Sequence, residues 1–217
     1  MIASWLDILT RAWLYAAGHQ AEVLEALRDH VLLSGSALLV AVVTCLPLGI
    51  WTARSRAVSA AAINLVNALR VIPSLAVLFI VVPVLGLSTR SAAVALILLA
   101  MPPVLLNTDA AFRSLDPAVI EAARSTGMTR LQILVKVEFP LAFPVILTGV
   151  RTAAVEVIAS ATLAAFVGSG GLGVFITRGF ALFDYAILMV GAVPVALLAL
   201  MAEGILAGFQ KMARIPA

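Results

Sequence analysis

Apolar runs at about 31–52, 60–85, 91–110, 142–166 and 185–209 recur along this chain, each near the length of a membrane-crossing helix. In lipid, every backbone polar group must be bonded within the protein, so such runs fold as helices or closed barrels. The apolar-polar alternation of a membrane barrel is absent. Hydrophobic residues make up 63% of the chain and charged residues 12%, against roughly a quarter charged in soluble domains. The expected fold class is therefore an all-α membrane protein with five transmembrane helices. Its 217 residues leave room for these spans and short loops, and none for a second soluble domain. Arg70 and Pro73 interrupt the second run, Pro102-Pro103 the third and Pro194 the fifth. Prolines at such positions kink helices and free carbonyls.

Residues 1–30 do not read as a span. Trp5, Ile8, Leu9, Ala12, Trp13 and Ala16 recur at helical spacing with Asp7 and Arg11 between them, which predicts an interfacial amphipathic helix. A charged turn from Glu22 to Asp29 then leads into the first run, and no secretory signal with a cleavage site is expected. Residues 31–217 form the expected membrane domain. Arg54, Arg56, Arg113, Arg124, Arg130, Lys136, Lys211 and Arg214 fall in loops on one side; Arg11, Arg28, Arg90 and Arg178 fall on the other. The richer side is expected in the cytoplasm, with the N-terminus outside and the C-terminus inside. The pI of 9.6 thus reads as membrane orientation, with no nucleic-acid partner. The single Cys45 cannot form an internal disulfide.

The segment at about 111–140 is a polar, helix-forming island in this apolar chain. Asp116 is placed to cap a helix that starts at Pro117, where a missing N–H costs nothing. Gly127 ends it, and Thr129 caps a second helix running through Glu138 and stopped by Pro140. A helix of about ten residues is marginal alone and needs a docking surface, in its own spans or on a partner.

Within the island, Glu121-Ala122-Ala123 is followed by Gly127, and after nine residues by Val137, Phe139 and Pro140. This pattern resembles the coupling loop of permease subunits of ABC importers, with Val137 where Ile is usual and Phe139 for Leu. The likeness extends to Leu46-Pro47-Leu48-Gly49-Ile50, Val71-Ile72-Pro73-Ser74-Leu75-Ala76, Asn107-Thr108, Gly149-Val150-Arg151-Thr152-Ala153 and Gly170-Gly171-Leu172-Gly173. Ala161-Thr162-Leu163-Ala164-Ala165-Phe166 and Val193-Pro194-Val195-Ala196-Leu197-Leu198 favour the osmoprotectant branch, which carries glycine betaine, choline, carnitine or proline betaine. Methionine permeases share the loop and the glycine turn. The resemblance implies the type I ABC importer permease fold, with Glu121, Ala122, Ala123, Arg124 and Gly127 coupling to a cytoplasmic ATPase. It also implies a second permease of the same or a sister chain, two ATPases, an external solute-binding protein, and the bacterial cytoplasmic (inner) membrane. No cofactor is expected on this chain, with ATP and Mg on the partner ATPases.

Charges inside spans need a partner or a wet cavity. Glu156, Arg151 and Arg70 are therefore candidate pathway-lining residues, with Glu156 favouring a cationic head group, or Glu156 pairs with Arg70 or with a second subunit's Arg151. Arg151 is also placed to reach headgroups, Asp109 to anchor the loop, and Glu203 to snorkel or pair. Gly168, Gly170, Gly171 and Gly173 suit a hinge or gate at the outer mouth. Phe175, Phe180, Phe183 and Tyr185 are either interface anchors or stack near a methylated ammonium. An enzyme is disfavoured: His19 and His30 lie in the N-terminal segment, and no histidine in a span accompanies Ser169. No metal motif occurs. An ATP-independent channel or carrier is the alternative class, and it would not need the capped island.

Overall fold

The computed structural model describes residues 4–213; Arg214, counted above on the basic side, lies outside the described residues. Helices α1 (Trp5–Gly18), α2 (Gln20–Ala53), α3 (Arg56–Val71), α4 (Ser74–Leu85) and α5 (Thr89–Arg113) are followed by the short α6 (Pro117–Ser125). Then come α7 (Arg130–Ile133), a π-helical segment (Leu134–Glu138), α8 (Phe139–Ser160), a 3-10 segment (Ala161–Val167), α9 (Gly173–Ala181) and α10 (Tyr185–Ala213). Among the described residues there is no strand.

Four helical runs are long and apolar enough to cross a membrane: 20–53, 89–113, 130–167 and 185–212. The second expected span departs from a kinked rod. It is two helices, α3 and α4, bent by 96°. The cause is local. Pro73 has no N–H and drives the residue before it out of the helical region, so Ile72 sits at φ −75°, ψ 122°. The pair makes a fifth span if counted as one.

Pro140 does not stop the helix that starts at Arg130, contrary to the expectation above. The backbone runs on to Val167 through the π segment, where the Phe139 N–H bonds Leu134 O five residues back. That wider turn accommodates a proline ring that would clash in a regular α turn. Helix α2 likewise runs unbroken from the charged turn at Glu22 into the first apolar run, and the break from α1 falls at His19.

Helix α5 is the centre of the bundle, between α2 and α8, with Ala92, Ala95, Leu96, Ala100 and Val104 buried. Glycines permit this closeness. A Cβ at Gly49 of α2 would lie 2.6 Å from Thr108, and one at Gly149 of α8 would lie 2.5 Å from the Pro103 carbonyl oxygen. Lipid gives helices no hydrophobic reason to associate, so small residues and van der Waals contact supply it. A second apolar cluster joins α1 to α9 and α10 through Ala12, Leu172, Phe175 and Val190.

Candidate functional site

The exposed helix α6 is built from its ends. Asp116 accepts the Ala118 N–H at 2.8 Å, and Pro117 opens the helix. At its other end Gly127 adopts φ +83°, its N–H bonds Arg124 O, and the Met128 N–H bonds Ala123 O. This paired closure satisfies two terminal carbonyls and requires the left-handed conformation at one residue. Thr129 and Gln132 then cap each other's backbone amides to start α7. Glu121, Ala122, Arg124 and Gly127 are exposed, while Ala123 is buried against the protein's own body. The Glu-Ala-Ala motif is therefore divided: one alanine seats the helix, the other faces outward.

Two polar clusters fix the base of this helix; the sequence marked Asp109 as an anchor but gave neither its partners nor the Arg54–Glu138 pair. Glu138 is buried at 3% exposure and takes a two-pronged ion pair from Arg54 at the end of α2, at 3.0 and 2.5 Å. That hydrogen bond pushes the Arg54 guanidinium above its ordinary pKa. Buried Asp109 accepts from Arg113 at 2.9 Å and from Ser59 at 3.0 Å, and Arg113 also donates to Ser55 O. These bonds tie the ends of α2, α3 and α5 together beside the island, the anchoring role expected of Asp109. Replacing Arg54 with alanine should destabilise the protein by about 2 kcal/mol, because it strands a buried carboxylate whose partner was half exposed. Adding Glu138→Gln should recover part of that loss in detergent thermal unfolding.

The candidate pathway residues separate into two places. Arg70 and Glu156 line one cavity of about 220 Å³ beside the α3–α4 break, together with Ser74, Leu98, Pro102 and Ser160. Arg151 lies elsewhere, bonded to Glu203 and Gln210 between α8 and α10. Glu203 thus pairs, and Arg151 is neutralised by its own chain.

At the opposite end, Arg11 bonds Asp184, and Arg178 bonds Glu22 at 2.7 Å and Tyr15 at 3.2 Å. The Glu22 bond pushes the Arg178 guanidinium above its ordinary pKa. Gly168, Gly170 and Gly171 have φ of +74°, +76° and +80°, in a turn no other residue type would adopt cheaply. Gly173 serves a different need, since a Cβ there would meet Thr162 O at 2.0 Å. His30 is fully buried against this turn, with Nε2–H donating to Ile158 O at 3.0 Å. The structure thus brings a histidine of the first span to the glycine segment, a contact between His30 and Gly171 that no local pattern signals. Phe175 is also corrected: it is completely buried, edge-on to Tyr15 and under Arg178, so it is not open to a solute. Phe180, Phe183 and Tyr185 remain exposed.

Residues 45–214 match the family described as the binding-protein-dependent transport system inner membrane component. The chain belongs to this family. Among its relatives, the carnitine transport permease protein OpuCB of Listeria monocytogenes is 42% identical over 175 residues, covering 81% of this chain and 80% of that protein. The choline transport system permease protein OpuBB of Bacillus subtilis is 37% identical over 190 residues, 88% of each chain. The fold is that of the inward-facing MetNI methionine ABC transporter, with a TM-score of 0.76 at 20% identity, covering 91% of this chain and 99% of that one. The protein is thus an integral membrane permease subunit of an ABC importer and not an enzyme. Membership of the family implies an ATPase, a solute-binding protein and a second permease as partners.

Proposed function

We propose that this permease imports an osmoprotectant such as glycine betaine, choline or carnitine across the bacterial cytoplasmic membrane. The observation that carries this reading is the named activity of its relatives, carnitine and choline transport, over most of the chain's length. In this reading the chain has five spans, α3 and α4 together forming the second, with the N-terminus outside and the C-terminus inside. The end that holds Arg54, Arg113, Arg124 and Arg130 is then cytoplasmic, following the basic-residue bias. Two permease chains, identical or sister, pair to enclose the path, because one copy of five spans cannot readily surround a polar solute. ATP and Mg are held by two ATPases.

Helix α6 is the part that meets an ATPase, through Glu121, Ala122, Arg124 and the Gly127 turn, with Ala123 seating it. As the ATPases close on ATP, α6 is pushed. The Arg54–Glu138 pair and the π segment pass that displacement into α8. Helix α8 continues into the 3-10 segment and the turn of Gly168, Gly170, Gly171 and Gly173, which serves as the outer gate. Residues 5–30 lie at the outer face and brace α9 and α10.

Reconstituting the permease with its ATPase and binding protein in liposomes tests this. ATP-dependent uptake of glycine betaine, carnitine or choline is expected. Uptake by the permease alone without ATP would favour a channel or carrier. Cysteines placed at 117–127 should react only from the cytoplasmic side.

A further inference from the structure

The α3–α4 break leaves a polar opening in an apolar bundle. Five arginines, Arg11, Arg54, Arg113, Arg151 and Arg178, are in ion pairs with carboxylates of their own chain. Arg70 and Glu156 are different: neither has an ion-pair partner among the described residues, yet both line the same cavity. Two opposite charges kept apart at membrane depth are costly unless something fits between them. Ser74, the first residue of α4, and Ser160 add two hydroxyls to the same wall. The rest of the wall is apolar, with Ile72, Pro73, Val77, Leu98 and Pro102 among its residues.

The volume of about 220 Å³ sits below the roughly 300 Å³ at which drug-sized pockets begin. It suits one small solute. A solute complementary to this wall carries an anion for Arg70, a cation for Glu156, and methyl groups for the apolar surface. Among the described residues no aromatic side chain lines the cavity, which gives it no cage for tight binding of a quaternary ammonium. Weak, reversible holding is what a point of passage requires.

We propose that Arg70 and Glu156 form a transit site for a small zwitterion bearing a carboxylate and a quaternary ammonium, so that the permease itself prefers zwitterions to the purely cationic choline. This deepens the osmoprotectant reading above and rests on it. Arg70 selects the carboxylate and Glu156 the ammonium. Arg151, matched to Glu203, takes no part.

The test uses the full assembly in liposomes with one binding protein throughout, so that any change in preference belongs to the permease. Uptake of glycine betaine and choline is compared in wild type, Arg70→Gln, Arg70→Lys and Glu156→Gln. Arg70→Gln should lower the ratio of glycine betaine to choline uptake at least tenfold. Arg70→Lys should keep most of it, and Glu156→Gln should lower uptake of both. An unchanged ratio in Arg70→Gln, with ATP hydrolysis intact, overturns the transit site. If the wild-type assembly imports neither compound, the osmoprotectant reading itself fails instead. As a second measurement that needs no charge removal, Ser74→Cys in a Cys45→Ser background should react more slowly with a thiol reagent when glycine betaine is present. Equal labelling with and without saturating glycine betaine also overturns the site.

Discussion

Gly149→Ala should cost about 3 kcal/mol and abolish most uptake, although it adds a single methyl group. The new carbon would lie 2.5 Å from the Pro103 carbonyl oxygen and 2.6 Å from Asn107 Cβ. Neither contact is the free end of a flexible side chain, so α5 and α8 must move apart. Overpacking of this kind costs about 1–3 kcal/mol, and here it strikes the central crossing. Gly204→Ala on α10 is the matched control, since nothing lies within 4 Å of a Cβ there. Thermal unfolding in detergent should separate the two variants clearly, with the control at or above wild type. Equal stability of both would show that the α5–α8 contact is looser than its geometry states.

Glu121→Lys should leave folding intact and lower stimulated ATP hydrolysis and solute uptake together by about tenfold. Glu121 is exposed on α6 and makes no side-chain bond within the chain among the described residues, so its removal spares the permease body. A tenfold loss corresponds to about 1.4 kcal/mol of docking free energy. Charge reversal at a rim contact is expected to reach that size and to depend on salt. Ala123→Leu should act differently. Ala123 faces inward, so enlarging it unseats α6 and lowers stability as well as uptake. Normal ATP stimulation and uptake in Glu121→Lys would remove α6 from the coupling role.

Much of the architecture was readable because it depends on short-range chemistry. The caps of α6 at Asp116 and Gly127 and the start of α7 at Thr129 appear where the residues predict them. Prolines were harder. Pro73 marks an interruption in the sequence, and the proline locally forces Ile72 out of the helix, but the 96° size of the bend is seen only in the structure. Pro140 was read as a stop, because proline ends helices in water; here a π turn carries the chain past it. Arg54–Glu138 bridges 84 residues and Arg151–Glu203 bridges 52, beyond the reach of any local pattern. His30 ends the segment expected at the interface, yet it is buried against the glycine turn.

By itself the sequence determined that this chain crosses a membrane as helices, where the island helices are capped, and which family it resembles. Hydropathy, helix capping and glycine chemistry act over a few residues and need no fold to be read. Only the tertiary structure decided which charges meet. It matched Arg151 with Glu203 and Arg54 with Glu138, and left Arg70 and Glu156 lining one cavity with no ion-pair partner among the described residues. The reason is that partner choice among buried charges follows from helix crossings, and those are set by where small residues let backbones approach.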